Sequence, residues 1–96
     1  MYTLEQLRRH RDSIQKIGNR YGVRRIQLFG SVVRGDAGPQ SDIDFLVDIE
    51  PGRSLLDQAG FMQDVEDLLG CPIDVVVEGG INPRLAAHIH REAEPL

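Results

Sequence analysis

The sequence predicts an α/β (α+β) fold, one small mixed β-sheet packed against helices, in the order α-β-β-α-β-α. Apolar residues recur first at a helical period, then alternate, and switch between the two patterns along the chain. Turn-forming residues stand at the switches: Gly22, Gly30, Gly38-Pro39, Pro51-Gly52, Gly70, Gly79-Gly80 and Asn82-Pro83. No repeat, linker or low-complexity stretch interrupts the alternation, so residues 1–96 read as a single domain with one layered core.

Each element has its own signal. Thr3 and Gln6 form a capping box, and Leu4, Leu7, Ile14, Ile17 and Tyr21 then follow one helical face, predicting a helix over about 4–21 that stops at Gly22. Val23 to Phe29 is short, rich in β-formers and closed by Gly30, which predicts the first strand. A brief helical turn at 31–35 and a loop from Asp36 to Gln40 follow. Ser41 to Ile49 is the second strand. Ile43, Phe45, Val47 and Ile49 share one face, and Asp42 and Asp44 share the other, because side chains alternate. Ser54 caps a helix whose apolar stripe is Leu55, Leu56, Ala59, Met62, Val65, Leu68 and Leu69, ending at Gly70. Pro72 to Val77 is the third strand, and Asn82-Pro83 opens a last helix to about residue 92.

Composition narrows the function. With 41% hydrophobic and 27% charged residues the chain is an ordinary globular protein, and no apolar run nears the ~20 residues needed to span a bilayer. Met1 to Glu5 lacks the basic start and apolar stretch of a signal peptide, and Cys71 stands alone, so the cytoplasm is expected. Charge is uneven. Residues 1–35 carry eight Lys/Arg against Glu5 and Asp12, whereas 36–96 carry Arg53, Arg84 and Arg91 against thirteen acids. The acidic part argues against direct nucleic-acid binding, which needs clustered cations. Arg8, Arg9, Arg11 and Lys16 read as a solvated helix face; Arg24 and Arg25 are expected closer to the site.

The chemistry concentrates in Gly30-Ser31-Val32-Val33-Arg34-Gly35 and Ser41-Asp42-Ile43-Asp44. A Gly-Ser after a strand lets backbone approach a phosphate, with turn amides and the Ser31 hydroxyl as donors. Two aspartates at i and i+2 point their carboxylates to one side, where they repel unless a cation intervenes. Mg²⁺ takes one or two carboxylates plus substrate phosphates. Asp74, between Ile73 and Val75, would be costly in a strand without a partner and can join the pair if the strands are neighbours. Two metals ~3.5–4 Å apart could then clamp the attacking and leaving oxygens of an in-line displacement.

Gly30-Ser31, ten residues, then Asp42-Ile43-Asp44 resembles the signature of the DNA polymerase β-like nucleotidyltransferases. The run from Phe29 to Gly35 with Ser-Asp-Ile-Asp-Phe-Leu-Val is similar to its smallest branch, the minimal nucleotidyltransferase (MNT) family, over most of the chain. The resemblance implies the polymerase β-like fold, ATP as substrate, and Mg²⁺, two ions, held by Asp42, Asp44 and Asp74. Gly30 and Ser31 would hold the triphosphate, and Arg34 would steady the loop or meet a phosphate. Family members act as antitoxins beside HEPN-domain RNase toxins, with a toxin tyrosine thought to receive AMP. No acceptor-gripping domain is present here, which suits a hydroxyl presented by a partner protein.

Other readings stand beside this one. The chain could neutralise such a toxin by covering it without catalysis, or transfer to a small molecule. Asp74 could be a structural acid bonded to Arg24 or Arg25, and Arg34 a plain surface cation. His88 and His90 point to nearly opposite sides of a helix and are not expected to share a metal. Cys71 reads as a structural thiol, and Phe61 and Met62 as core or partner contacts.

Overall fold

The computed structural model describes residues 2–96. Its elements are α1 (Leu4–Arg9), α2 (Arg11–Tyr21), β1 (Val23–Phe29), α3 (Ser31–Arg34), β2 (Ile43–Ile49), α4 (Leu55–Leu69), β3 (Ile73–Val77), α5 (Pro83–Glu92) and β4 (Glu94–Pro95). The strands form one mixed sheet in the order β3-β2-β1-β4. β1 runs antiparallel to both β2 and β4, and β2 parallel to β3 with α4 as the crossover. The expected α/β architecture is present. Two details differ: the first helix breaks at His10, and a short fourth strand joins the sheet edge.

His10 leaves helical geometry at φ −95°, ψ 8°, and α1 is a single capped unit held by the Thr3–Gln6 box. The kink turns Arg8 and Arg11 towards the other end of the chain. Arg8 donates to the Pro95 carbonyl at 2.7 Å and Arg11 to the Leu96 main-chain oxygen at 2.7 Å, while the Leu96 amide bonds the Ile26 carbonyl at 3.2 Å. Two of the arginines expected on a solvated face therefore tie the β4 end of the chain to α1 and α2.

One sheet face carries the main core. Ile43, Phe45 and Val47 of β2 are buried there with Leu28, Leu7, Ile14, Phe61 and Val65. Phe45 and Phe61 meet edge to face, ring centroids 6.3 Å apart. A register irregularity between Val23 and Arg25 lets Val23, Ile26 and Leu28 all face this layer. α4 packs beside α2 with the Tyr21 ring against Gly60, and the Tyr21 hydroxyl bonds Asp64 at 2.8 Å. The stripe expected on α4 is shifted: Phe61, Val65 and Leu69 are buried, whereas Leu55 and Leu56 are 80% and 83% exposed. The inward face is set by the sheet beneath it, which a count of apolar residues along the helix does not reveal.

The opposite sheet face carries Asp44, Leu46 and Asp48 of β2 and is crossed by α5. Glu92 ties the end of α5 to Gly30, and His90 bonds Glu78 just beyond β3 at 2.7 Å. Leu46 and Ile89 are buried outside the main cluster. Among the described residues, no helix is long and apolar enough to cross a membrane.

Candidate active site

β1 ends in Phe29, paired across the sheet with Asp44, and the chain then turns at Gly30 into α3. Gly30 has φ 77° and ψ −153°, a conformation that residues with a Cβ rarely adopt. A Cβ there would also collide with the Asp44 carboxylate. The glycine thus does two jobs: it makes the turn, and it lets the loop lie directly against an acid of the next strand. Ser31 opens α3 half-buried, and Val32 anchors the turn in the core.

The three predicted acids come together in part. Asp44 and Asp74 are register partners across the parallel β2–β3 pair, so their side chains stand side by side on the α5 face. Asp42 precedes β2 and is exposed. The Asp44 carboxyl is pushed up to about 6, first by burial, then by the negative charges of Asp74 and Asp42; Arg34 opposes this and Glu92 adds to it. That environment is what a bound cation would relieve. Among the described residues no three acidic, cysteine or histidine side chains enclose an ion by themselves. The donor set still fits Mg²⁺, which completes its shell with water and phosphate oxygens around one or two carboxylates.

Some expectations change. Asp74 is exposed and needs no buried partner. It does not bond Arg24, which pairs with Asp48 at 3.0 Å towards the opposite end of the sheet from Gly30. Arg24, and Arg25 in register with Asp48, thus stand at the end of the sheet away from Asp42, Asp44 and Asp74. Arg34 is held by Glu92 at 2.8 Å and Asp36 at 3.3 Å, so its guanidinium braces the loop. His90 is engaged with Glu78. Cys71 precedes β3 as a partly exposed free thiol, its pKa raised mainly by burial.

Glu92 escaped the sequence reading. It takes the Gly30 amide with one carboxylate oxygen and Arg34 with the other, and Arg34 above all keeps its pKa below the usual glutamate value. The Gly30 amide is thereby occupied, the Val33 and Arg34 amides donate to the Gly30 carbonyl and the Gly35 and Asp36 amides to the Ser31 carbonyl, which leaves the Ser31 and Val32 amides as the donors for an anion. Glu92 looked like the plain end of a polar helix, and only the path of α5 brings it to the loop. Beside the cluster, a hollow of about 250 Å³ between loop 37–42, Tyr2 and Cys71 reaches Asp42 but not Asp44 or Asp74.

The family model described as nucleotidyltransferase domain matches residues 7–94. The protein adenylyltransferase MntA of Thermococcus cleftensis is 39% identical over 93 residues, covering 96% of this chain and 94% of its own. A solved structure described as a minimal nucleotidyltransferase is 45% identical with a TM-score of 0.87, covering 99% of this chain and 97% of that one. The fold also matches the MNT antitoxin complex of a tri-AMPylated Shewanella oneidensis HEPN toxin, at 18% identity and a TM-score of 0.68, over 92% and 69% of the two chains.

Proposed function

The chain belongs to the nucleotidyltransferase domain family and is a nucleotidyltransferase, and on that premise we propose that it moves AMP from ATP to a hydroxyl of a partner protein. The partner in this reading is a HEPN-domain RNase toxin, the acceptor a tyrosine hydroxyl, the effect neutralisation, and the compartment the cytoplasm. The relative named a protein adenylyltransferase supports the donor and the acceptor class. The complex in which the Shewanella oneidensis antitoxin sits beside its toxin is the arrangement extended to this chain.

The carrying observation is Asp44, a half-buried carboxyl flanked by two more acids and pressed against a glycine turn. In the proposed reaction Asp42, Asp44 and Asp74 would hold Mg²⁺, which would supply positive charge to offset the triphosphate and the phosphorus under attack. The Ser31 hydroxyl and the Ser31 and Val32 amides receive the phosphate oxygens, the Val33 and Arg34 amides being bonded to the Gly30 carbonyl, while Arg34 and Glu92 keep the turn in place. Asp74, exposed on the outermost strand, is where a hydroxyl on a separate protein can reach. The acceptor oxygen bonds the α-phosphorus, the bond to the bridging oxygen breaks, pyrophosphate leaves and the hydroxyl proton passes to Asp74.

The test is intact mass of the HEPN partner after incubation with this protein, ATP and Mg²⁺. One or more added AMP groups are expected, and none with Asp42→Asn/Asp44→Asn. A partner that stays unmodified yet is fully neutralised by the double variant would mean that cover, not catalysis, does the work.

A further inference from the structure

The two edges of the sheet are built differently. The β4 edge is two residues long, includes Pro95 and is latched by Arg8 and Arg11, features that discourage further pairing. The β3 edge is the five-residue run Ile-Asp-Val-Val-Val, with no proline or lysine and with Val75, Val76 and Val77 only partly covered. A groove of about 390 Å³ follows it, lined by Gln58 of α4, the three valines, Ile81 and Leu85. Leu55 is 80% exposed and Leu85 53% exposed. Leu55, Gln58 and Met62 lie along one flank of α4, at offsets of three and seven residues.

The main-chain groups along this edge are self-complementary. The Pro72 carbonyl accepts from Ile43, and the Glu78 amide donates to Val47, so even-numbered residues of β3 face β2. Because N–H and C=O alternate sides together, those of Ile73, Val75 and Val77 face outwards. Two of these six groups are already used: the Ile73 amide by Glu66 at 3.0 Å and the Val77 carbonyl by the Gly80 amide at 3.3 Å. Left over are the Ile73 carbonyl, both Val75 groups and the Val77 amide. A two-fold axis through Val75 matches them completely. Val75 exchanges both bonds with Val75 of a second copy, and each Val77 amide meets the other copy's Ile73 carbonyl. The groups that would be surplus in that register are the ones capped within the chain.

We propose that the β3 edge is a self-association surface, on which a second copy of this chain pairs antiparallel about Val75 to make one continuous eight-stranded sheet. The same register sets Asp74 opposite Val76 of the second copy, keeping like charges from facing each other. Pairing uses in-plane groups and leaves the Asp74 side chain on the α5 face, with the neighbouring strand extending the floor beside it. This assembly does not depend on which acceptor the enzyme modifies.

Sedimentation equilibrium of the full chain, with amide exchange by NMR, tests it. The expected result is a dimer mass with the Val75 and Val77 amides protected, and a monomer for Val75→Pro, which removes an outward amide that an edge strand can spare. If that variant does not fold, Leu55→Glu/Leu85→Glu alters two exposed rim residues and should weaken the dimer at least tenfold. A wild-type monomer at every soluble concentration, or a dimer unchanged in both variants, overturns the proposal. A monomer that loses partner binding on the same substitutions overturns it in favour of a different occupant.

Discussion

Asp44 and Asp48 stand on the same face of β2, two pleat repeats apart on either side of Leu46, and their surroundings differ in kind. Asp48 is matched across the sheet by Arg24, at 3.0 Å and largely in solvent. Asp44 is half-buried beside Asp74 and Asp42, with Gly30 packed against its carboxylate and Arg34, the nearest opposing charge, already engaged by Glu92 and Asp36. One end of the strand satisfies its charge within the chain; the other leaves negative charge in excess. Unrelieved electrostatic cost of the second kind collects where a ligand is to supply the missing charge. The difference also shows what each end costs the fold: Asp48 contributes a little stability, and Asp44 subtracts some.

The acidic end of β2 is most sensitive at Gly30. Gly30→Ala should cut adenylyl transfer by roughly a hundredfold or more, since a Cβ must displace either the loop or the Asp44 carboxylate. A variant with near-normal kcat/KM would show that the close approach of loop to acid is not needed. Glu92→Ala comes next. It frees the Gly30 amide and releases Arg34, and loss of such a positioning group should cost about tenfold in kcat/KM. Glu92→Gln, which still accepts from Gly30, should recover part of the loss.

The Asp44 carboxyl gives the comparison a pH signature. Its folded value is about 6 against a usual 3.8, so the folded chain takes up this proton before the unfolded chain does. Without divalent metal, the melting temperature should therefore gain a contribution as pH falls from 7 through 6 towards 4, a contribution lost again as pH rises through 6. Asp44→Asn should remove that slope and be the more stable protein at pH 7, although inactive. A flat or opposite dependence in the metal-free wild type would contradict the electrostatic account. The smallest effect is expected at the balanced end: Asp48→Asn should lower stability by about 1 kcal/mol or less, as for other exposed pairs. A larger loss in chemical denaturation would mean that the two ends are not so different.

How far these features could be read in advance depended on the range of the interaction involved. Thr3, Ser54, Asn82 and the closing glycines act within a few residues, and the caps they predict are formed. Alternation placed Asp44 on the face opposite Phe45, and Gly30-Ser31 followed by Asp42-Ile43-Asp44 pointed to the chemistry. Where a feature depends on contact between distant segments, no local pattern carries it. Arg8 and Arg11 looked like plain solvent-facing cations and, with Arg11 still exposed, also hold residues 95 and 96. Leu55 and Leu56 looked like core and lie outside.

By itself, then, the order of residues determined the three longer strands, the helices apart from the break at His10, the glycine and proline turns and the core-facing residues of β2, because propensity, capping and side-chain alternation are short-range. Only the tertiary structure decided that Asp74 stands in register with Asp44, that Glu92 reaches Gly30 across 62 residues of chain, and that β3 rather than β4 is the open edge. Those outcomes depend on how the sheet is ordered and where α5 crosses it. Strand order and helix path minimise exposed apolar surface over the whole chain at once, and no window of sequence holds that sum.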